Sequence, residues 1–222
     1  MRKRRQQRES HLKPKVKILT SKTENQKNYI RGIVENDIIF CSGPAGSGKS
    51  YVAAGMAAQH LYRGDIEKVI ITRPLVCTGK EIGALPGELQ EKISPYLVPM
   101  RENFKHFLGP VNYNDLYQLG KISFQPLEMM RGMTYHDTYM ILDEAQNCTY
   151  DQIKMFITRM GQNSKVLING DLNQTDLHRG RSGLESCMSK LDNIDGIAIC
   201  NLTHEDIQRN DIIAQVLRAL ET

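Results

Sequence analysis

Short apolar runs punctuate the chain at wide intervals: IIF from Ile38, VIIT from Val69, YMIL from Tyr139, VLIN from Val166 and IAIC from Ile197. Each is nearly continuous rather than alternating, which is how strands covered on both faces read. With the shorter run near Ile122, they predict strands over Asp37–Ser42, Lys68–Thr72, Lys121–Gln125, Thr138–Leu142, Lys165–Asn169 and Gly196–Asn201. Between them apolar positions recur at helical spacing. This predicts helices over Lys49–Arg63, Glu88–Phe107, Tyr150–Met160, Gly183–Leu191 and Arg209–Leu220. Alternating strands and helices predict an α/β chain with a parallel sheet between helical layers. The Gly- and Pro-containing connections at 73–87 and 170–183 are long enough to carry function.

Charge divides the chain unevenly. Residues 1–17, MRKRRQQRESHLKPKVK, hold eight Lys or Arg and one Glu, a net +7, and the whole chain is +4, so the remainder carries −3. The pattern predicts a basic, disordered arm over 1–17 and a single folded domain over 18–222. Such an arm either attracts polyanions or serves as a solvated, solubilising tail. No apolar run is long enough for a membrane span, and no apolar stretch follows the charged N-terminus. The five cysteines, Cys41, Cys77, Cys148, Cys187 and Cys200, form no CxxC pair and are odd in number. Reduced thiols in a cytoplasmic protein are therefore expected, rather than a disulfide framework or a zinc site.

Gly43-Pro44-Ala45-Gly46-Ser47-Gly48-Lys49-Ser50 fits the phosphate-loop pattern GxxxxGK[ST]. The context is the one the mechanism needs: a β-run precedes the pattern and a helix opening SYVAAGMAA follows it. Glycines let main-chain N–H groups wrap phosphates without Cβ clashes, and the helix N-terminus adds partial positive charge. Lys49 is expected to reach the β- and γ-phosphates, Ser50 to hold Mg²⁺, and Tyr51 to follow in the same binding stretch.

In TYMILDEAQN, residues 138–147, a buried strand ends in two acids. Ligands gather at the carboxyl ends of parallel strands. Asp143 is placed for the Mg²⁺ shell, and Glu144 to align and deprotonate a water for attack on a γ-phosphate. The strand KVLING leads into a turn with Gln174, a neutral amide suited to sensing the γ-phosphate. Gln26, in Thr23-Glu24-Asn25-Gln26, matches the donor–acceptor edge of adenine and favours ATP, and no guanine-reading NKxD stretch occurs. Arg73 closes the second core strand on the same rim, either as a strand cap or as a nucleic-acid contact.

In this order TENQ, GPAGSGKS, VIITRP, IGALPGEL, KISPYLVPM, ILDEAQN and NGDLNQTDL resemble the PhoH-like ATPases, a phosphate-starvation-inducible group related to superfamily 1 helicases. The resemblance covers about residues 20 to 220 and implies a RecA-like P-loop NTPase fold with Mg²⁺ and ATP as cofactors. It implies Gln26 as adenine reader, Lys49 and Ser50 as phosphate and Mg²⁺ residues, Asp143 as the Mg²⁺ carboxylate, Glu144 as base and Gln174 as sensor. It also implies Arg209 as an arginine finger or γ-phosphate sensor. The chain departs from the family pattern at Cys77-Thr78-Gly79-Lys80, at Met133 and at Asn210.

A single core of this type must take the second wall of its nucleotide site from a neighbour. The expectation is a hexameric ring whose ATPase cycle is coupled to RNA or single-stranded DNA, bound partly through residues 1–17. A different class also fits: an ATP-sensing assembly module with little turnover, for which Glu144 is dispensable. A small-molecule kinase would need a lid with several arginines, and no such segment stands out.

Overall fold

A computed structural model describes residues 16–74, 89–174, 177 and 182–208, without the side chains of residues 89–96. The expected helix over Arg209–Leu220, Arg209 itself, residues 1–15 and residues 75–88 lie outside the described residues. Val16 and Lys17, read as the end of the arm, are described, and the Lys17 N–H donates to the Phe107 carbonyl at 2.8 Å.

In chain order the elements are α1 (Glu24–Glu35), β1 (Ile38–Ser42), α2 (Lys49–Arg63), β2 (Lys68–Thr72), α3 (Leu89–Leu108), α4 (Pro110–Gln118), β3 (Ile122–Phe124), β4 (Thr138–Leu142), α5 (Tyr150–Ile157), β5 (Lys165–Gly170), α6 (Leu184–Leu191) and β6 (Ile197–Asn201). Short 3₁₀ turns follow β3, β4 and β6. The strands form one sheet, ordered β3-β2-β4-β5-β1-β6, and every described pairing is parallel.

Continuous apolar runs build two cores because successive side chains leave opposite faces. Ile39 and Cys41 of β1, Val69 and Ile71 of β2, and Tyr139 and Ile141 of β4 pack with residues of α1, α2 and α3. Phe40, Ile70, Met140 and Leu142 turn the other way and pack with Ile153, Phe156, Leu184 and Cys187 of α5 and α6. The four described cysteines are free thiols.

Register decides where the chemistry sits. Ser42 pairs with Gly170 on one side and with Asn201 on the other, and Thr72 pairs with Leu142. The carboxyl ends of the central strands therefore form one rim. The loop after β1 and the acids after β4 share that rim, separated by the tip of β5.

Two helices were not expected from the apolar pattern. α1 is capped by the Thr23 side chain, which accepts from the Gln26 N–H, but it buries only Gln26, Tyr29, Gly32 and Ile33. α4 starts on Pro110 directly after Gly109. That Gly-Pro pair reads as a loop until Pro is recognised at a first helical position, where its missing N–H costs nothing.

Candidate nucleotide site

The loop from Gly43 to Ser50 leaves β1 and enters α2 at Lys49. Gly48, which caps the helix, has φ +99°, a left-handed conformation that disfavours any side chain. A Cβ there would also lie 2.7 Å from Gln26 Nε2. The loop is tied down from outside. The Gly43 N–H donates to the Gly170 carbonyl at 3.1 Å, and the Gln208 N–H to the Gly46 carbonyl at 3.2 Å. The Ser47 hydroxyl donates to the Pro44 carbonyl at 2.8 Å, and Gln26 Nε2 to the Ser47 carbonyl at 2.9 Å. Lys49 Nζ closes the loop, donating to the carbonyls of Pro44 at 2.9 Å and of Gly43. The N-terminus of α2, the positive end of its dipole, thus opens on the cavity through Gly48, Lys49 and Ser50.

The acids meet this loop. The Ser50 hydroxyl donates to Asp143 Oδ1 at 2.8 Å. Asp143 is buried. Burial, and then the neighbouring Glu144 charge, push its carboxyl above the usual range, against the Ser50 hydrogen bond and the charges of Arg73 and Lys49. Glu144 sits at φ 57°, ψ 41°, a left-handed backbone uncommon for a residue with a side chain. Its Oε1 pairs with Arg73 Nη2 at 3.3 Å, and its Oε2 accepts from Gln146 Nε2 at 2.6 Å.

Together these residues line a cavity of about 640 Å³, walled by Ala45, Gly46, Gly48, Lys49, Ser50, Tyr51, Asp143 and Glu144, with Gln26, Lys22, Arg73, His106 and Gln208 among its other contributors. Gly43, Pro44 and Ser47 are not among the residues that line it. The Tyr51 ring packs on Phe107 with centroids 4.8 Å apart, and its hydroxyl lies 3.4 Å from His106 Nε2. The Gln26 amide is engaged at both ends: its Oε1 accepts from the Lys22 N–H at 2.9 Å while its Nε2 holds Ser47. Gln174 is exposed in the turn after β5, where its N–H donates to the Asp171 carbonyl at 3.2 Å, and it is not part of the cavity wall.

The donor set suits a hard cation. A serine hydroxyl and a carboxylate are oxygen ligands of the kind Mg²⁺ takes while keeping its other positions for water and phosphate. Among the described residues, no three His, Cys, Asp or Glu are grouped to hold a metal ion.

Comparison with known proteins decides the family. The profile described as PhoH-like protein matches residues 18–221. This chain belongs to the PhoH-like family. It is 43% identical over 208 residues to the PhoH-like protein of Bacillus subtilis (strain 168), an alignment covering 93% of this chain and 65% of that protein. It is 36% identical over 204 residues to Protein PhoH of Escherichia coli (strain K12), covering 90% of this chain and 58% of the relative. The PhoH-like chain thus spans less than two thirds of the length of these relatives. Among solved structures, the large terminase of a thermophilic bacteriophage superposes with a TM-score of 0.53 at 13% identity, over 93% of this chain and 50% of that one. At that identity the likeness is one of fold, and it agrees with the parallel sheet between helical layers described above. Among the described residues no helix is long and apolar enough to cross a membrane.

Two side-chain partnerships at this site are not legible in the sequence. Gln146 stands in plain sight after the acidic pair, but only the 3₁₀ turn over Ala145–Asn147 brings it back against Glu144. Arg73 reads as a rim residue, and its pairing with Glu144 depends on β2 and β4 being neighbours.

Proposed function

We propose that this chain binds ATP with Mg²⁺ in the cavity between Gly43–Ser50 and Asp143–Glu144 and hydrolyses it. The observation that carries the reading is the 2.8 Å hydrogen bond from Ser50 to Asp143, which joins the two Mg²⁺ residue types across the rim. Mg²⁺, when bound, neutralises charge on the β- and γ-phosphate oxygens. Lys49 adds its charge to the same oxygens, and the start of α2 supplies N–H groups. Glu144, one residue beyond Asp143, orients the attacking water and accepts its proton. Arg209, next to the cavity-lining Gln208, lies outside the described residues and remains proposed as an arginine finger or γ-phosphate sensor. Gln174, which does not line the cavity, remains the proposed γ-phosphate sensor.

Nucleic acid is the proposed coupled partner. The basic segment 1–17 supplies phosphate contacts, and the rim at Arg73 leads toward the segment 75–88. The proposed working form is a head-to-tail ring, a hexamer, with copies completing each other's sites. An ATP-sensing assembly module is the second reading, favoured by the engagement of both Glu144 oxygens with Arg73 and Gln146.

ATP hydrolysis measured with and without single-stranded RNA or DNA separates the two. Turnover that rises on adding the strand supports the coupled ATPase. Background turnover with intact ATP binding supports the sensing module instead.

A further inference from the structure

Glu144 is less buried than a fixed base would need: its side chain is 37% exposed, and its pair with Arg73 is 3.3 Å long between partly exposed groups, so solvent screens it. A carboxylate in that position rotates unless something buried holds it. Gln146 is buried at 4% exposure. Its Nε2 donates to Glu144 Oε2 at 2.6 Å, and its Oε1 accepts from the Asp171 N–H at 3.1 Å. One amide therefore bridges the carboxylate to the main chain at the tip of β5. The neighbouring β5 residue, Gly170, is bonded to the phosphate loop through its carbonyl and the Gly43 N–H. A Cβ on Gly170 would sit 3.0 Å from Gln146 Oε1 and 2.4 Å from Leu184 Cδ2, so a side chain there would crowd the seat.

We propose that Gln146 is a positioning residue for Glu144, fixing the carboxylate relative to the phosphate loop through the β5 tip. The inference rests on the reading of Glu144 as the base. The orientation of the carboxylate is then referenced to the loop that holds the phosphates, rather than left to its own rotamers. Small misplacements of a reacting group are costly, and an ångström can lose about a hundredfold in rate.

The test is a double-mutant cycle on the intact chain. Gln146→Met keeps length and bulk but loses both hydrogen bonds. Gln146→Glu keeps the acceptor for Asp171 but replaces the donor with a second carboxylate. Both should lower kcat by about 10- to 100-fold, with the affinity for a fluorescent ATP analogue within about threefold of the parent. In a Glu144→Gln background, Gln146→Met should cost less than about twofold more, because it acts through the group already removed. Parental kcat in both single variants, losses that multiply in the double variant, or nucleotide binding lost in step with kcat would each overturn the proposal. Full activity of Glu144→Gln alone would instead overturn the base reading on which it rests.

Discussion

Ser50 and Asp143 lie 93 positions apart in sequence, yet the Ser50 hydroxyl donates to Asp143 Oδ1 at 2.8 Å. The contact follows from strand order. β4 stands one strand away from β1 with β5 between them, and the register aligns their carboxyl ends. The helix that opens after the phosphate loop then carries Ser50 across to the acid.

Asp143 makes a stability prediction because its ionised form is disfavoured in the fold. Burial first, and Glu144 second, raise its pKa. The native state therefore binds more protons than the unfolded chain between the usual aspartate range and the raised value. Stability from this group falls as pH rises through that interval and is level above it. Asp143→Asn should raise Tm at neutral pH, and the gain should vanish as pH drops below the usual aspartate range. Mg²⁺ should raise the Tm of the parent and leave the variant unmoved. Thermal scans at several pH values, with and without Mg²⁺, check both.

Gln26 distinguishes bracing from base reading. With its amide bonded to Ser47 and Lys22, Gln26→Ala leaves the buried Ser47 carbonyl without that donor. Losing such a partner costs about 1–3 kcal/mol. The expected result is a lower Tm, with ATP and GTP affinities weakened by the same factor. A selective loss of ATP affinity at unchanged Tm would assign Gln26 to adenine instead.

Residues 1–15 precede the point where Lys17 joins the fold. Their removal takes seven Lys or Arg and one Glu from the chain. It should weaken binding to single-stranded RNA or DNA and flatten the dependence of log K on log salt. Unchanged binding and slope would make the segment a solubilising tail.

The ring carries its own check. Light scattering at rising concentration should give a mass several times that of one chain, sharpened by ATP and Mg²⁺. A monomer that hydrolyses ATP at the full rate would contradict a site completed by a neighbour.

The fold was legible wherever burial on both faces wrote itself as a continuous apolar run. All six described strands were found, the only partly buried edge strands β3 and β6 among them, with ends displaced by a residue or so; Lys121–Gln125, for example, shortens to Ile122–Phe124. α1 hid because its buried stripe is narrow, with Gln26 and Gly32 beside Tyr29 and a single aliphatic, Ile33. In the site, residues that act through local pattern were readable: the phosphate loop signals by its glycines, and Asp143 by ending a strand. Residues that act through neighbours were not. The partnerships of Gln146 with Asp171, and of Arg73 with Glu144, depend on which strands lie side by side, which one chain's periodicity does not encode.

The central claim is hydrolysis of Mg²⁺–ATP with Glu144 as base, and steady-state ATPase of Glu144→Gln beside the parent tests it most directly. The amide keeps the shape of the side chain and removes its basicity. The expected result is a fall in kcat of about 10²- to 10⁴-fold with ATP affinity retained. Equal turnover in the two proteins, with ATP bound equally well, would contradict it.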